Sequence, residues 1–427
     1  MSQPSLNIRQ YYNNKTLFLT GCTGFVGKVL LYKLVGTTTP KCIYLTIRSK
    51  KGTTIEQRLE KEIFQSKMFQ SQDASFLNAA RRLIKPVEAD ITDDFLFTGP
   101  QAKASREKLA QEVEVVIHCA ATVSFFERLD IAINLNVYGT MRVMQFAREC
   151  RKLNIFNYIS TMFSNSNQPN RSTIYERLYT AQLPNGEDIE AFCKRVRGLS
   201  PEEVSKVQKE YLKTLGFPNT YTFTKNMSER LVERTRNGMS VCICRPSIVG
   251  ASYRDPVPGW VDTVSAAGAI YFFIGLGVTS VMWLDEDAVT DQIPVDYVCN
   301  AIIAASADTA NTGDFRVFAL GSSDKNPVTW GEAHKKVLRY FQSHPPKKSK
   351  WRATTSIIRD KNAYITQFML DHTWMNRAYG TFAKITGSKK HQDAHQILEK
   401  RERQTLMVNR NFSFFCTHGW RFDNSNL

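Results

Sequence analysis

Thr20-Gly21-Cys22-Thr23-Gly24-Phe25-Val26-Gly27 follows a short β-rich stretch, residues 15–20, and opens an amphipathic run through residue 34. Glycines at 21, 24 and 27 on a strand-to-helix turn let the backbone approach a pyrophosphate, and the helix N-terminus behind them supplies partial positive charge. Thr20, Gly21, Thr23, Gly24, Phe25, Val26 and Gly27 are therefore candidate cofactor contacts. The chain repeats the same β-α-β order beyond this turn. Residues 42–47 and 86–89 read as the second and third strands, and 113–119 as a fourth, its continuous apolar run expected of a strand buried on both faces. A helical pattern over 137–153 precedes a fifth strand at 156–160, and a sixth comes at 241–244. This order predicts an α/β fold: a Rossmann-type doubly wound parallel sheet with substrate-domain insertions.

Where an NAD-selective site would carry an acidic residue, at the end of the second strand, this chain reads Ile47-Arg48-Ser49-Lys50-Lys51. Cations at that spot, Arg48 and Lys51 among them, suit a 2′-phosphate, so NADPH is the expected cofactor. Asp90, after the third strand, is placed to meet the adenine amino group, with Ile91 beside it. His118-Cys119-Ala120-Ala121 ends the fourth strand, and its small residues let the cofactor ribose approach. Cys119 suggests an acyl-cysteine intermediate, but nothing nearby in sequence activates the thiol. His118 reads as packed and hydrogen-bonded.

Ser160 and Thr161 end the fifth strand, where a hydroxyl can hydrogen-bond a substrate carbonyl. Tyr221-Thr222-Phe223-Thr224-Lys225 puts a phenol and an ammonium on one helix face. The positive charge is expected to pull the phenol's pKa down towards working pH and make it a general acid. A nicotinamide cofactor and such a tyrosine are the parts that deliver hydride and proton to a carbonyl.

The chain's 427 residues suffice for one large core and a smaller second domain, and 42% hydrophobic with 22% charged residues is a globular composition. A net charge of +16 favours anionic partners: a phosphorylated cofactor, a nucleotide-bearing substrate or an acidic membrane. No nucleic acid partner is expected, because the cations are scattered and no zinc-finger spacing or RNA-binding signature accompanies them. Nine cysteines without paired spacing point to reduced thiols. Cys242-Ile243-Cys244 is expected to aim its thiols at opposite faces of a strand, so no metal site is expected. The polar residues 1–15 lack the apolar run of a secretory signal.

Between the fifth strand and Tyr221, Ser200, Pro201, Glu203 and Gly216 mark a capped helix, part of a substrate-domain insertion. Residues 264–284 carry no charge. Core or acyl-pocket lining, a monotopic dip into one leaflet, and a full span are the three readings of this run. Topology argues against the span, since residues 291–296 rejoin the domain that holds Tyr221. The Pro345-Pro346-Lys347-Lys348 joint is basic, and the chain beyond it reads as helical. The expected domains are 1–330, a cofactor-binding reductase domain with insertions, and 331–427, a helical C-terminal domain.

At these residues the chain resembles the extended short-chain dehydrogenase/reductases and, within them, the fatty acyl-CoA reductases. Residues 20–28, 43–52, 118–125, 134–140, 159–161 and 221–229 carry the likeness, with Arg245-Pro246-Ser247-Ile248-Val249-Gly250-Ala251 most distinctive. Pro258-Gly259-Trp260-Val261-Asp262 and residues 411–424 extend it. The resemblance implies Thr161, Tyr221 and Lys225 as the catalytic set, with Ser160 as neighbour or substitute. It implies a structural or proton-relay role for Asn136, contacts of Pro246, Ser247 and Val249 with the cofactor, and a long-chain acyl-CoA substrate reduced to a fatty alcohol. Peripheral or monotopic membrane contact is expected, and the sequence does not determine the oligomeric state. Animal members usually run on into a hydrophobic anchor, so the anchor and part of the C-terminal domain are expected to be missing or replaced. A reductase or epimerase of sterols or sugar nucleotides, and a silent nucleotide-sensing module, are the alternatives. The terminal Ser425-Asn426-Leu427 differs by one residue from a Ser-Lys-Leu peroxisomal address, so a peroxisomal location is expected, with the cytosolic face of the endoplasmic reticulum as second choice.

Overall fold

The computed structural model describes residues 7–264, 266–347 and 349–426. In chain order its main elements are β1 Thr16–Thr20, α1 Phe25–Thr37, β2 Cys42–Ile47, β3 Ile84–Glu88, β4 Val115–His118, α2 Gly139–Glu149, β5 Ile155–Ile159, α3 Pro201–Leu215, α4 Thr220–Thr235, β6 Val241–Pro246, α5 Ala266–Gly275, α6 Val295–Thr309, β7 Phe315–Leu320, α7 Trp330–Ser343 and α8 Lys389–Thr417. The seven strands form one parallel sheet in the order β7-β6-β5-β4-β1-β2-β3. The doubly wound fold expected from the sequence is the one observed.

Burial explains the composition of each layer. Every residue of β1, β4 and β5 is buried, because helices cover both faces. On one face Leu17, Leu19, Ile117 and Cys244 pack with Val29 of α1 and Val298 and Ile302 of α6. Phe18, Val116 and Tyr158 pack on the other face with Phe146 of α2. The winding of the sheet reverses between β1 and β4, and the crevice at their C-terminal ends is where such folds bind ligands.

Several boundaries move. β3 begins at Ile84 and contains Pro86, tolerated because β3 is an edge strand. The helix expected over 137–153 starts earlier, as Leu129–Ala132 and a π-helical Ile133–Tyr138 leading into α2. β7, not assigned from the sequence, pairs with β6 from Phe315 opposite Val241 to Leu320 opposite Pro246. The α3 caps form as read: Ser200 and Glu203 make a reciprocal capping box, and Gly216 ends the helix at φ +75°.

One expectation is overturned. Cys242 and Cys244 do not face opposite ways: residues two apart on a strand share a face, and both thiols lie in one core cluster. The structure of the apolar run 264–284 agrees with the topological argument against a full span. Its helix, α5, stops at Gly275, Gly277 turns at φ +63°, and the chain enters the short strand Val281–Trp283. No described helix is long and apolar enough to cross a membrane.

The sequence-derived boundary at 330 falls at the start of α7. From there the chain repeatedly returns to earlier elements. Trp330 packs with Ala267 and Ile270 of α5, Ser356–Ile358 pairs with Val281–Trp283, and Arg421–Phe422 pairs with Thr173–Ile174. On α8, the Asn409 amide brackets the short strand, accepting from Trp283 N at 2.8 Å and donating to the Val281 carbonyl at 3.1 Å. Residues 1–6, Lys348 of the basic joint and Leu427 of the terminal tripeptide lie outside the described residues.

The glycine turn is the most constrained position. Gly21 sits at φ +76°, and a Cβ there would lie 2.7 Å from Ala120 N. A left-handed backbone and a steric conflict together cost an alanine about 2 kcal/mol or more. Gly21→Ala is therefore expected to lower unfolding stability in urea by that amount and to abolish cofactor retention. An unchanged urea midpoint would contradict the packing described.

Candidate active site

The ends of β1, β4, β5 and β6 converge on a cavity of about 1210 Å³. Thr20 is buried behind the cavity wall and does not line it. The side-chain oxygen accepts from Cys119 N and Ala120 N, both at 3.1 Å, and bonds His118 Nδ1 at 2.8 Å. This brings Cys119, Ala120 and Ala121 to the glycine turn, and all three line the cavity with Gly21, Thr23, Gly24, Phe25, Val26 and Gly27. Cys119 is no nucleophile here, because burial pushes its thiol up to about 11. The distinctive Trp260 loop clamps α1: Trp260 stacks on Phe25 at 5.5 Å, Asp262 pairs with Lys28 at 2.5 Å, and Asp255 with Lys33 at 2.5 Å.

At the end of β2, Arg48 lines the cavity together with Arg58, a residue that the sequence reading missed. Arg58 donates to the Arg48 carbonyl at 2.6 Å while its guanidinium grips Glu62, so the turn carrying Arg48 is held from behind. Asp90 is not among the lining residues, although Ile91 is. The Asp90 carboxylate accepts from Thr92 and faces Arg48 at 3.6 Å. Lys51 is exposed on the turn and does not line the cavity either.

Tyr221 and Lys225 project from α4 into the cavity, with Thr161 at the end of β5 and Pro246, Ser247 and Val249 at and after the end of β6. Lys225 Nζ donates to the Ile159 carbonyl at 2.7 Å and sits over the Tyr158 ring. Thr161 donates to the Pro246 carbonyl at 3.4 Å. Ser160 also lines the cavity, but its hydroxyl is engaged: it donates to the buried Glu229 carboxylate at 2.5 Å, which leaves Thr161 as the freer strand-end hydroxyl for a substrate. Asn136 does not line the cavity. It bridges the Thr122 backbone, accepting at 2.9 Å and donating at 3.2 Å, to the Thr224 hydroxyl at 3.0 Å, a positioning role.

The expected downward shift of Tyr221 is reversed. Burial raises its pKa, and Lys225 opposes that only in part; Lys225 itself is lowered by burial. A phenol of this kind is fully protonated at neutral pH and serves as a proton donor. As pH rises, Lys225 loses its charge earlier than an ordinary lysine does.

The residues fit a nicotinamide dinucleotide. A Cβ at Gly21 would strike the Cys119–Ala120 backbone and one at Gly27 the Gly21 carbonyl, so only glycines let the turn close this tightly at the cavity wall. The buried Ser247 hydroxyl, beside the same cavity, has no protein partner among the described residues. No group of three potential metal ligands occurs among those residues.

The model of an NAD-binding family described as Male sterility protein matches residues 19–302. Probable fatty acyl-CoA reductase 5 of Arabidopsis thaliana is 31% identical over 80% of this chain and 73% of its own. Fatty acyl-CoA reductase 1 of Xenopus laevis is 28% identical over 99% of this chain and 78% of its own. The chain belongs to the fatty acyl-CoA reductase family. Among solved structures, the terminal R domain of the myxalamid PKS-NRPS biosynthetic pathway superposes with TM-score 0.58 at 20% identity, covering 91% of this chain and 80% of that domain. That likeness supports the fold alone.

For a fatty acyl-CoA reductase, the other half of the cavity is the part sequence reading left least specified. α5 contributes Ala267, Ile270 and Phe273, and α8 contributes Met407, Val408, Phe412 and Phe415. Phe125 stands between the halves, 6.0 Å from the Tyr221 ring and 5.3 Å from Phe415. The α8 residues recur at 408, 412 and 415, a helical period visible in the sequence, but nothing local says what that stripe faces.

His118 yields a measurable signature. Burial holds its pKa down to about 3 against an ordinary 6.5, so the folded protein refuses a proton that the unfolded chain accepts. Its contribution to stability is present above the ordinary value and is lost as pH falls through the window between the two. Urea midpoints compared at about pH 7 and pH 4.5 should therefore drop on acidification, and less steeply in His118→Gln. Equal pH slopes in both proteins would contradict the assignment.

Proposed function

We propose that this chain reduces a long-chain acyl-CoA with NADPH, first to the aldehyde and then to the fatty alcohol, releasing coenzyme A. What carries the reading is the continuity of one cavity: a glycine-cradled dinucleotide half and an aromatic, apolar half meet at Tyr221. The lining role expected of residues 264–284 belongs to this apolar half through α5. A sugar nucleotide finds little to hydrogen-bond along Ile270, Phe273, Met407 and Phe412.

A bound nicotinamide supplies the hydride. The Gly21–Gly27 turn would hold the pyrophosphate, Arg48 and the Arg58-braced turn would take the 2′-phosphate, and Lys225 would meet the nicotinamide ribose; all of these residues line the cavity. Thr161, turning its proton away from the long 3.4 Å contact with the Pro246 carbonyl, and Tyr221 donate hydrogen bonds to the thioester oxygen and orient the carbonyl carbon. When hydride adds to that carbon, Tyr221 gives its proton to the oxygen and a hemithioacetal results. Cleavage of its C–S bond releases the thiol and leaves the aldehyde, and the tyrosine is reprotonated from solvent. A second hydride and a second proton from Tyr221 give the alcohol, so two NADPH are consumed per acyl group.

Tyr221→Phe removes the proton donor without touching the glycine turn. NADPH oxidation with palmitoyl-CoA is expected to slow by about 10²–10⁴-fold while cofactor affinity holds. Activity within about threefold of wild type would contradict the assignment. Parallel assays with a UDP-sugar and without substrate, and mass spectrometry of the product, identify the substrate class and the alcohol.

Arg48→Ala removes the contact with the 2′-phosphate. The NADPH Michaelis constant should rise by one to two decades, for a charge-assisted bond of about 1.5–3 kcal/mol, while that for NADH barely changes. An equal effect on the two cofactors would show that Arg48 does not read the phosphate.

A further inference from the structure

Helices Lys361–Phe368 and Met375–Thr386 are joined through a π-helical Met369–Trp374 into one continuous rod. The rod has two different sides. Its inner stripe, including Phe368, His372, Asn376 and Ala383, is buried. It is fastened to α8: Glu402 accepts from Asn376 at 2.6 Å and from Thr373 at 2.7 Å, and Tyr379 bonds His391 at 2.9 Å. The opposite stripe reads Leu370, Trp374, Ala378, Phe382 and Ile385, spaced by four, four, four and three, and faces outward. Leu370, Trp374 and Phe382 are each about half exposed, and Ile385 is 79% exposed.

Single exposed apolar residues are ordinary; a row of them on one helix face is an interaction surface. Charge identifies what the surface meets. Between 361 and 390 the cations are Lys361, Arg377, Lys384, Lys389 and Lys390, against Asp371 as the one acid. A cationic helix with an apolar stripe and a tryptophan is built to lie in the interface of an anionic bilayer. A second copy presenting the same cations to these would be repelled. The rod is also well placed for a lipid substrate. It packs on α8, whose half-exposed Met407 lines the cavity.

We propose that the outer face of the 361–386 rod docks this protein on an anionic lipid bilayer. This surface is distinct from α5, whose Ala267, Ile270 and Phe273 serve the cavity. The proposal stands on the exposed stripe and its cations, and does not require the acyl-CoA reading to hold.

Sedimentation of the purified full chain with vesicles tests it, using phosphatidylcholine alone and phosphatidylcholine with phosphatidylserine. Wild type should bind the anionic vesicles and be released by salt. Combined Leu370→Ser, Trp374→Ser and Phe382→Ser should weaken binding by about tenfold or more. NADPH oxidation with a short, water-soluble acyl-CoA should stay unchanged in the triple variant, which reports that it is folded. Should the triple variant not fold, Arg377→Gln with Lys384→Gln alters only exposed charge and should reduce binding to anionic vesicles severalfold. Absence of wild-type binding, equal binding by wild type and the folded variants, or a wild-type dimer that the triple variant makes monomeric would each overturn the proposal. Vesicle binding without any reductase activity would instead overturn the acyl-CoA reading and leave this one standing.

Discussion

The buried pairing of Glu229 with Arg245 organises the catalytic side of the molecule. Both side chains are almost fully removed from solvent, and the guanidinium meets the carboxylate through two nitrogens, at 3.0 and 2.6 Å. Two desolvated charges survive in such a place only when every remaining lone pair and proton is used. Ser160 and Ser164 supply the remaining donors to Glu229, and the Arg177 carbonyl takes another guanidinium proton. The requirement has a positional effect. Glu229 lies two turns beyond Tyr221 on α4, Arg245 lies on β6, and Ser160 ends β5, so one polar knot sets the phenol's helix against the two strand ends that flank it. The same knot engages the Ser160 hydroxyl and leaves Thr161 as the freer one at the cavity.

Around that knot, polar contacts position groups that react and apolar contacts define what can reach them. Thr20 joins the ends of β1 and β4, Asn136 holds the Thr122 backbone against α4, and the Trp260 loop pins α1 over the dinucleotide turn. Beyond Tyr221, the C-terminal chain closes the cavity. Phe412 and Phe415 of α8 meet Phe125 from the loop after β4, and Trp330 donates to the Phe415 carbonyl at 3.0 Å. Residues far apart in sequence thus share one wall.

How much could be read from the sequence depends on how local each determinant is. The glycine turn, the first six strands in chain order and the α3 caps are encoded within a few residues each, and each appears in the structure. Ser160 and Thr161 were indistinguishable by sequence because their difference is set by Glu229, almost seventy residues later. Arg58 gave no signal because its role, bracing the Arg48 turn, exists only once the chain has folded back. The direction of the Tyr221 shift was misread for a related reason: the Lys225 charge four residues away was visible, whereas the burial that outweighs it was not. Cys242 and Cys244 share a side because strand periodicity puts alternate residues on the same face.

The undivided cavity has a kinetic consequence. Under the proposed reaction, an aldehyde formed at Tyr221 would keep its tail against Ile270, Phe273 and Phe412, which line the cavity, and to escape it would have to wet that tail at about 0.8 kcal/mol per methylene. A cofactor held by the glycine turn would exchange at the other end of the cavity, away from that tail. The partition between release and a second reduction is then written into the substrate. At about 1.6 kcal/mol, each added pair of methylenes would lengthen the aldehyde's stay by about a decade, so short chains would leave half-reduced while long ones remained committed.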